Sequence, residues 1–289
     1  MKNNVRSGKI LLMKKKLIIF TDLDGTFLDS DTYSFSALKP ILTRLQKLEV
    51  PLIFCSSKTR AEIEALRHKC RNSHPFVSEN GGGVFIPEDY FPFPIQGSIR
   101  QGGYEVIGLG DRYADLVEAL KEASATTGVP IRGFNDMPAK EVADECNLSE
   151  AEAQLAKQRE FDEPFYLLAQ EGEAERRICM AIEELGYHCT RGSRFFHILG
   201  KSDKGKAVSL LNSFFRKINS SLITLSLGDS LNDLPMLMET DYAVLVQKSH
   251  GKYDKEVLKV MPDIILAPAP GPQGWAYALS YFLKKFAFD

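Results

Sequence analysis

Leu17-Ile18-Ile19-Phe20 is a solid apolar run closed by Asp22, Asp24 and Gly25. Without polar alternation it describes a strand buried on both faces, the parallel-sheet type. A helix follows over 36–48, with Leu38, Ile41, Leu42, Leu45 and Leu48 at helical spacing and Pro40 confined to the first turn. Residues 50–55 form the next strand, and Thr59-Arg60-Ala61-Glu62 is a capping box opening a helix through Cys70. A third strand at 75–78 and a hairpin-like continuation at 81–86 complete a doubly wound α/β pattern.

After Pro87 the rhythm changes. Residues 87–103 mix prolines, aromatics and glycines, as a linker or lid hinge would. A strand at 104–109, a helix at 111–127 stopped by Gly128, and a helix at 149–159 with its own capping box (Ser149, Glu152) come next. A strand at 165–169, a helix at 173–185 ended by Gly186 and a strand at 195–199 complete an α+β block. From Lys204 the α/β rhythm resumes: a helix at 204–217, then an apolar strand at 222–227 ending in Gly228-Asp229. A short helix (234–239), strands at 242–246 and 263–266, and a helix at 274–286 close the chain. The expected organisation is a core domain of 14–86 and 200–289 with an inserted cap of 87–199. Residues 1–13 are expected to be a disordered extension, with Met13 an alternative start.

Composition excludes several classes. At 44% hydrophobic and 26% charged the chain is an ordinary globular one. Thirty-six basic against 38 acidic residues leave a net charge of −2, so there is no global basic excess for nucleic acid. Any bound anion must be held by a local cluster. The five cysteines include no C-x-x-C pair, so neither a disulfide framework nor a zinc knuckle is expected, and a reducing cytosol is the simplest compartment. No stretch approaches the ~20 apolar residues of a membrane span. Nothing sets the oligomeric state.

The chemistry sits at strand ends. Asp22 and Asp24, two residues apart in extended chain, face the same way, at the edge where open parallel sheets bind ligands. One carboxylate can attack while the other shuttles protons; alone, the pair could equally cap a strand in an Asx turn. Gly228-Asp229-Ser230-Leu231-Asn232-Asp233 supplies a second acidic cluster after a second buried strand. Asp22, Asp229 and the carbonyl of Asp24 make a magnesium site, with Asn232 and Asp233 as ligand or supporting residues. Asp233 can at the same time cap the following helix. Ser56, at a helix N-terminus, and Lys204, opening another, can hold a phosphate, although each could be ordinary capping.

The order D-x-D-G-T, then Ser, then Lys, then G-D-x-x-N-D resembles the haloacid dehalogenase superfamily of phosphatases with a large inserted cap. That resemblance implies Asp22 as the nucleophile that becomes an aspartyl-phosphate and Asp24 as general acid/base. It implies Ser56 and Lys204 as phosphate ligands, and Asp22, Asp24 and Asp229 around magnesium. More narrowly, 57–60, 79–83, 159–165, 192–197, 202–205 and 268–272 resemble mannosyl-3-phosphoglycerate phosphatases. The implied substrate is a small phosphorylated glycosylglycerate, mannosyl or alternatively glucosyl, and the product a compatible solute.

Such a substrate carries a carboxylate besides its phosphate and needs a second cationic clamp. Arg132, Arg159, Arg191 and Arg194 are the cap candidates, with Lys58 and Arg60 on the core side; each arginine could instead be a solvated surface charge. Glu160, Asp162 and Glu163 could accept sugar hydroxyls or pair with Arg159. His197, between apolar neighbours, reads as a structural histidine, and Trp275 and Phe214-Phe215 as core.

Overall fold

The computed structural model describes residues 16–191 and 195–286, so the expectations for 1–13 and Arg194 lie outside the described residues. The chain opens with β1 (Lys16–Thr21), α1 (Lys39–Lys47), β2 (Leu52–Cys55), α2 (Arg60–Cys70), β3 (Phe76–Ser78) and β4 (Gly83–Pro87). Then come β5 (Ile99–Gln101), β6 (Tyr104–Gly108), α3 (Tyr113–Thr127), β7 (Ile131–Gly133), α4 (Ala139–Cys146) and α5 (Glu150–Ala156). They are followed by β8 (Asp162–Leu167), α6 (Glu173–Glu184), β9 (His188–Arg191), β10 (Phe196–Leu199) and α7 (Lys204–Ile218). The last elements are β11 (Leu222–Gly228), α8 (Leu234–Met238), β12 (Tyr242–Gln247), α9 (Lys255–Val260), β13 (Ile265–Pro270) and α10 (Gly271–Lys285).

One nine-stranded sheet runs β13-β12-β11-β1-β2-β3-β4-β6-β5, parallel from β13 to β3 and antiparallel beyond. The apolar run of β1 lies at its centre, and successive residues feed opposite faces. Leu17 and Ile19 join a cluster with residues of α1, α2 and α10, while Ile18 and Phe20 pack with Val208 and Leu211 of α7. Trp275 is fully buried, and its indole N–H donates to Thr21 Oγ1 at 2.9 Å.

The sheet does not stop at Pro87. β6 pairs with β4 over five residues and buries Val106 and Ile107, so 99–108 belong to the core sheet rather than to the inserted block. Nor does the proline-rich stretch before it form a hinge. Phe91 packs on Phe214 and Phe215 of α7 at 5.6 and 5.0 Å between ring centroids, and Phe93 stacks on Phe91. Sequence marks the prolines but not this tertiary pairing of aromatics.

The inserted block is a four-stranded antiparallel sheet, β7-β8-β10-β9. Phe165, Phe196 and Ile198 pack against α3 and α6, whereas Tyr166 and Phe195 pack with α4 and α5 on the other side. The short strands β7 and β9 are too brief to show a period, whereas α4 carries Ala139, Val142, Ala143 and Cys146 at helical spacing, a signal the sequence reading passed over. Cys179 of α6 and Cys189 of β9 are joined as a disulfide, contrary to the expectation from cysteine spacing. A helix and a strand that pack together bring the two sulfurs close without any C-x-x-C motif.

Candidate active site

The carboxyl ends of β1, β2, β11 and β12 form the floor of a cavity of about 460 Å³, roofed by the inserted sheet. The floor is a charge cluster. Lys204, fully buried at the start of α7, donates to Asp22 Oδ1 and to Asp233 Oδ1, both at 2.6 Å. Asp22, Asp229 and Asp233 bring carboxylate oxygens within 4.8 Å of one another. Asp233 is committed to holding the loop: its Oδ2 accepts the backbone N–H groups of Asp229 and Ser230. Gly25 lets this happen. Its φ is +77°, and a Cβ there would lie 2.9 Å from Asp229 Oδ2.

Three carboxylates around one ammonium leave the cluster short of positive charge. Burial, then Asp233, pushes the Asp22 carboxyl well above the usual range, with Lys204 pulling the other way. Burial and Asp233 likewise raise Asp229 to about 7. Burial works against the charge on Lys204, but Asp22 and Asp233 outweigh it and hold the ammonium above its ordinary range. Hard oxygen donors with two unmatched negative charges suit a divalent cation of the magnesium type.

The other expected residues divide sharply. Asp24, half exposed at the cavity wall, is ion-paired through Oδ1 with Lys58 Nζ at 3.1 Å, and Lys58 also reaches Glu62. Ser56 is fully buried and its Oγ accepts the Lys58 N–H at 3.2 Å, while Ser57 and Lys58 line the cavity above it. Asn232 lines the cavity and accepts the Ser230 hydroxyl at 2.6 Å. Arg159 also reaches the wall; it is buried, donates to the carbonyls of Ser57 and Ala156, each at 2.9 Å, and lies over the Phe134 ring.

Arg191 lines the cavity at the exposed end of β9 and is held by Glu171 at 3.0 and 3.1 Å. Arg60 and Arg132 do not belong to the wall. Arg60 pairs with Glu64 at 2.9 Å beside the Phe85 and Tyr104 rings, and Arg132 makes a two-pronged pair with Glu141. Arg60 found its carboxylate one turn along its own helix, and Arg132 found its own on α4.

Across the roof, one register row of the inserted sheet faces the cavity: Pro164 opposite His197 opposite Thr190. His197 is fixed through Nδ1 by the fully buried Asp162 at 2.9 Å. Asp162 also accepts from Asn80 at 2.9 Å, and His197, Asn80 and Arg159 together more than offset the burial that would raise its carboxyl. Glu163 accepts from Tyr113 and from the Asn135 N–H. Asp162 and Glu163 are thereby bound within the protein rather than presented to a ligand.

Sequence reading missed Lys248, His250 and Asp254, which line the wall from the loop after β12. Their position beyond the carboxyl end of a parallel strand was the available signal.

A floor of this kind at a doubly wound sheet edge, beneath an inserted cap, defines the class, a haloacid dehalogenase-like hydrolase. Residues 19–91 match that family. The fold matches a haloalkanoate-superfamily phosphatase from Bacteroides thetaiotaomicron at TM-score 0.65 and 16% identity, covering 98% of this chain and 100% of that one. It also matches the sucrose-phosphatase from Synechocystis at TM-score 0.60 and 15% identity, covering 94% and 98%.

Curated relatives narrow the class. The glucosyl-3-phosphoglycerate/mannosyl-3-phosphoglycerate phosphatase of Methanococcoides burtonii is 44% identical over 93% of this chain and 98% of its own. The protein of the same name from Persephonella marina is 38% identical over 93% and 98%. The mannosyl-3-phosphoglycerate phosphatase of Pyrococcus furiosus is 36% identical over 79% and 90%. The chain belongs to this family of mannosyl-3-phosphoglycerate phosphatases and is a phosphoric monoester hydrolase.

Proposed function

We propose that the protein hydrolyses mannosyl-3-phosphoglycerate to mannosylglycerate and phosphate, and accepts the glucosyl counterpart. The observation that carries the chemistry is Lys204 clasped between Asp22 and Asp233 beside Asp229 on the cavity floor. The double name of the two relatives at 44% and 38% identity favours the glucosyl activity as well.

In this reading Asp22 attacks phosphorus in line, forming an aspartyl-phosphate, while Asp24 protonates the departing glycerate oxygen. Asp24 then takes a proton from the water that hydrolyses the acyl phosphate. Lys204 offsets negative charge on the phosphoryl oxygens. Ser56 accepts the Lys58 N–H, which leaves its hydroxyl proton to donate to phosphate. Magnesium held by Asp22, Asp229 and the Asp24 carbonyl would supply further positive charge to the phosphoryl group, with Asn232 and Asp233 supporting the loop. Arg159, Arg191, Lys58 and Lys248 are the lysines and arginines of the wall within reach of the glycerate carboxylate.

The proposed setting is the cytosol, with a small molecule as partner and neither nucleic acid nor membrane. No helix among the described residues is long and apolar enough to cross a membrane. The test is phosphate release from mannosyl-3-phosphoglycerate, glucosyl-3-phosphoglycerate and glucose 6-phosphate, with and without magnesium. Rapid, magnesium-dependent turnover of the first two is expected; equal turnover of all three defeats the narrow substrate assignment.

A further inference from the structure

Two sequence motifs that the chemistry leaves unused, 79–83 and 159–165, meet each other. Glu79 is fully buried, and its carboxylate accepts the backbone N–H of Glu160 at 3.0 Å and that of Phe161 at 2.7 Å. Phe161 lies in a socket made of glycines. A Cβ on Gly82 would sit 2.3 Å from Phe161 Cβ, and one on Gly83 would sit 2.8 Å from its ring. Gly110 and Gly108 close the socket at 3.1 and 3.3 Å. Glycine is required here by close approach, because any side chain at 82 or 83 would occupy the volume of the phenyl group.

The turn holding this contact is strained and tied to the floor. Glu79, Asn80 and Gly81 have φ of 47°, 55° and 97°, three left-handed residues in succession. The Glu79 N–H donates to the Lys58 carbonyl and the Asn80 N–H to the Ser56 carbonyl, each at 3.0 Å. A Cβ on Gly81 would strike the Asp203 carbonyl at 2.1 Å, next to Lys204. The Asn80 amide donates to Asp162 at 2.9 Å and accepts from Asn232 at 3.4 Å, and Asp162 in turn fixes His197 in the roof. One short turn therefore touches the strand end bearing Ser56, the loop bearing Lys204, the loop bearing Asp229 and the inserted sheet.

We infer that Glu79 and the glycine socket for Phe161 form the seat that fixes the cap sheet over the phosphoryl-transfer floor, with Glu79 a positioning residue for substrate binding by the roof. This rests on the phosphatase reading above. Neither Glu79 nor Phe161 lines the cavity, so the seat acts through the placement of Asp162, His197 and Arg159. A substrate that must touch roof and floor together depends on it. A small aryl phosphate that needs the floor alone does not.

The experiment compares Glu79→Gln and Gly82→Ala with the wild-type protein on mannosyl-3-phosphoglycerate and on p-nitrophenyl phosphate. The φ of Gly82 is −64°, so alanine there tests the filled socket and not the backbone. Expected is a fall in kcat/KM for the sugar ester of at least about tenfold, carried mainly by KM, with p-nitrophenyl phosphate turnover within about threefold of wild type. Amide hydrogen exchange at Glu160 and Phe161 should accelerate in both variants, a readout that holds whatever the natural substrate. Phe161→Leu, which empties the socket instead of overfilling it, serves if Gly82→Ala does not fold. Equal losses on both substrates, or no loss on either with unchanged exchange, overturn the seat. Failure of the wild-type protein on the sugar ester, with accelerated exchange in the variants, overturns the substrate and leaves the seat standing.

Discussion

On the cavity floor, three carboxylates crowd one buried lysine at the ends of parallel strands, whereas the roof is a register row of proline, histidine and threonine with paired arginines at its edges. The floor carries unbalanced charge and little freedom to move, because Asp22 and Asp229 directly follow buried strands and the buried Lys204 and Asp233 are hydrogen-bonded to each other. The polar groups of the roof have partners within the protein, Asp162 for His197 and Glu171 for Arg191. On the proposed mechanism, bond breaking falls to the floor, where charge is left uncompensated for a ligand to complete, and selection among substrates to the roof, where shape and a few oriented donors face the cavity.

Substitution separates the two regions, and the largest effect is expected at Lys204. Lys204→Ala leaves Asp22 and Asp233 buried together without a cation. Phosphate release should fall at least about a thousandfold, and stability should drop by roughly 3–5 kcal/mol, the usual loss when a buried pair is broken on one side. Kinetics and thermal melting check both. A variant that keeps its rate would place the chemistry elsewhere.

Arg159→Ala probes the boundary between floor and roof. Losing hydrogen bonds from a charged group, at about 1.5–3 kcal/mol, should lower kcat/KM for the sugar ester about ten- to a hundredfold. Turnover of p-nitrophenyl phosphate should change much less. Equal losses on both substrates would mean that Arg159 serves the floor.

Beneath the floor, His74 provides a stability measurement independent of turnover. Burial and the neighbouring Arg67 lower its pKa to about 4, and its Nδ1 lies 2.8 Å from the Tyr90 hydroxyl. The unfolded chain takes up this proton near pH 6.5, the folded one only near 4, so stability is lost as pH falls through that window. The advantage of wild type over His74→Gln should shrink by on the order of 2–3 kcal/mol between pH 7 and 4 in denaturant titrations. A pH-independent difference contradicts the shift. The smallest effects belong to Arg60→Ala and Arg132→Ala, whose guanidinium groups are spent on Glu64 and Glu141; kcat/KM should stay within about threefold.

The floor was legible because its residues follow apolar strands, and a sheet edge gathers strand ends from distant parts of the chain. Asp22 and Asp229 could be paired by topology alone. The roof was not, because an arginine's partner is set by tertiary packing. Arg132 meets Glu141 only after β7 turns back into α4. Arg60 did carry a warning, with Glu64 one helical turn on. The expected boundary at 87 placed a lid hinge in a segment that aromatic packing on α7 holds to the core. Asp162 and Glu163 stood out as acidic residues in a motif, yet burial turned them into anchors.

The most direct measurement is phosphate release from mannosyl-3-phosphoglycerate by Asp22→Asn beside the wild-type protein, with magnesium present and folding checked by melting temperature. A loss of at least about a thousandfold with the melting transition retained is expected of a missing nucleophile. Turnover within tenfold of wild type would contradict Asp22 as the group that takes the phosphorus atom.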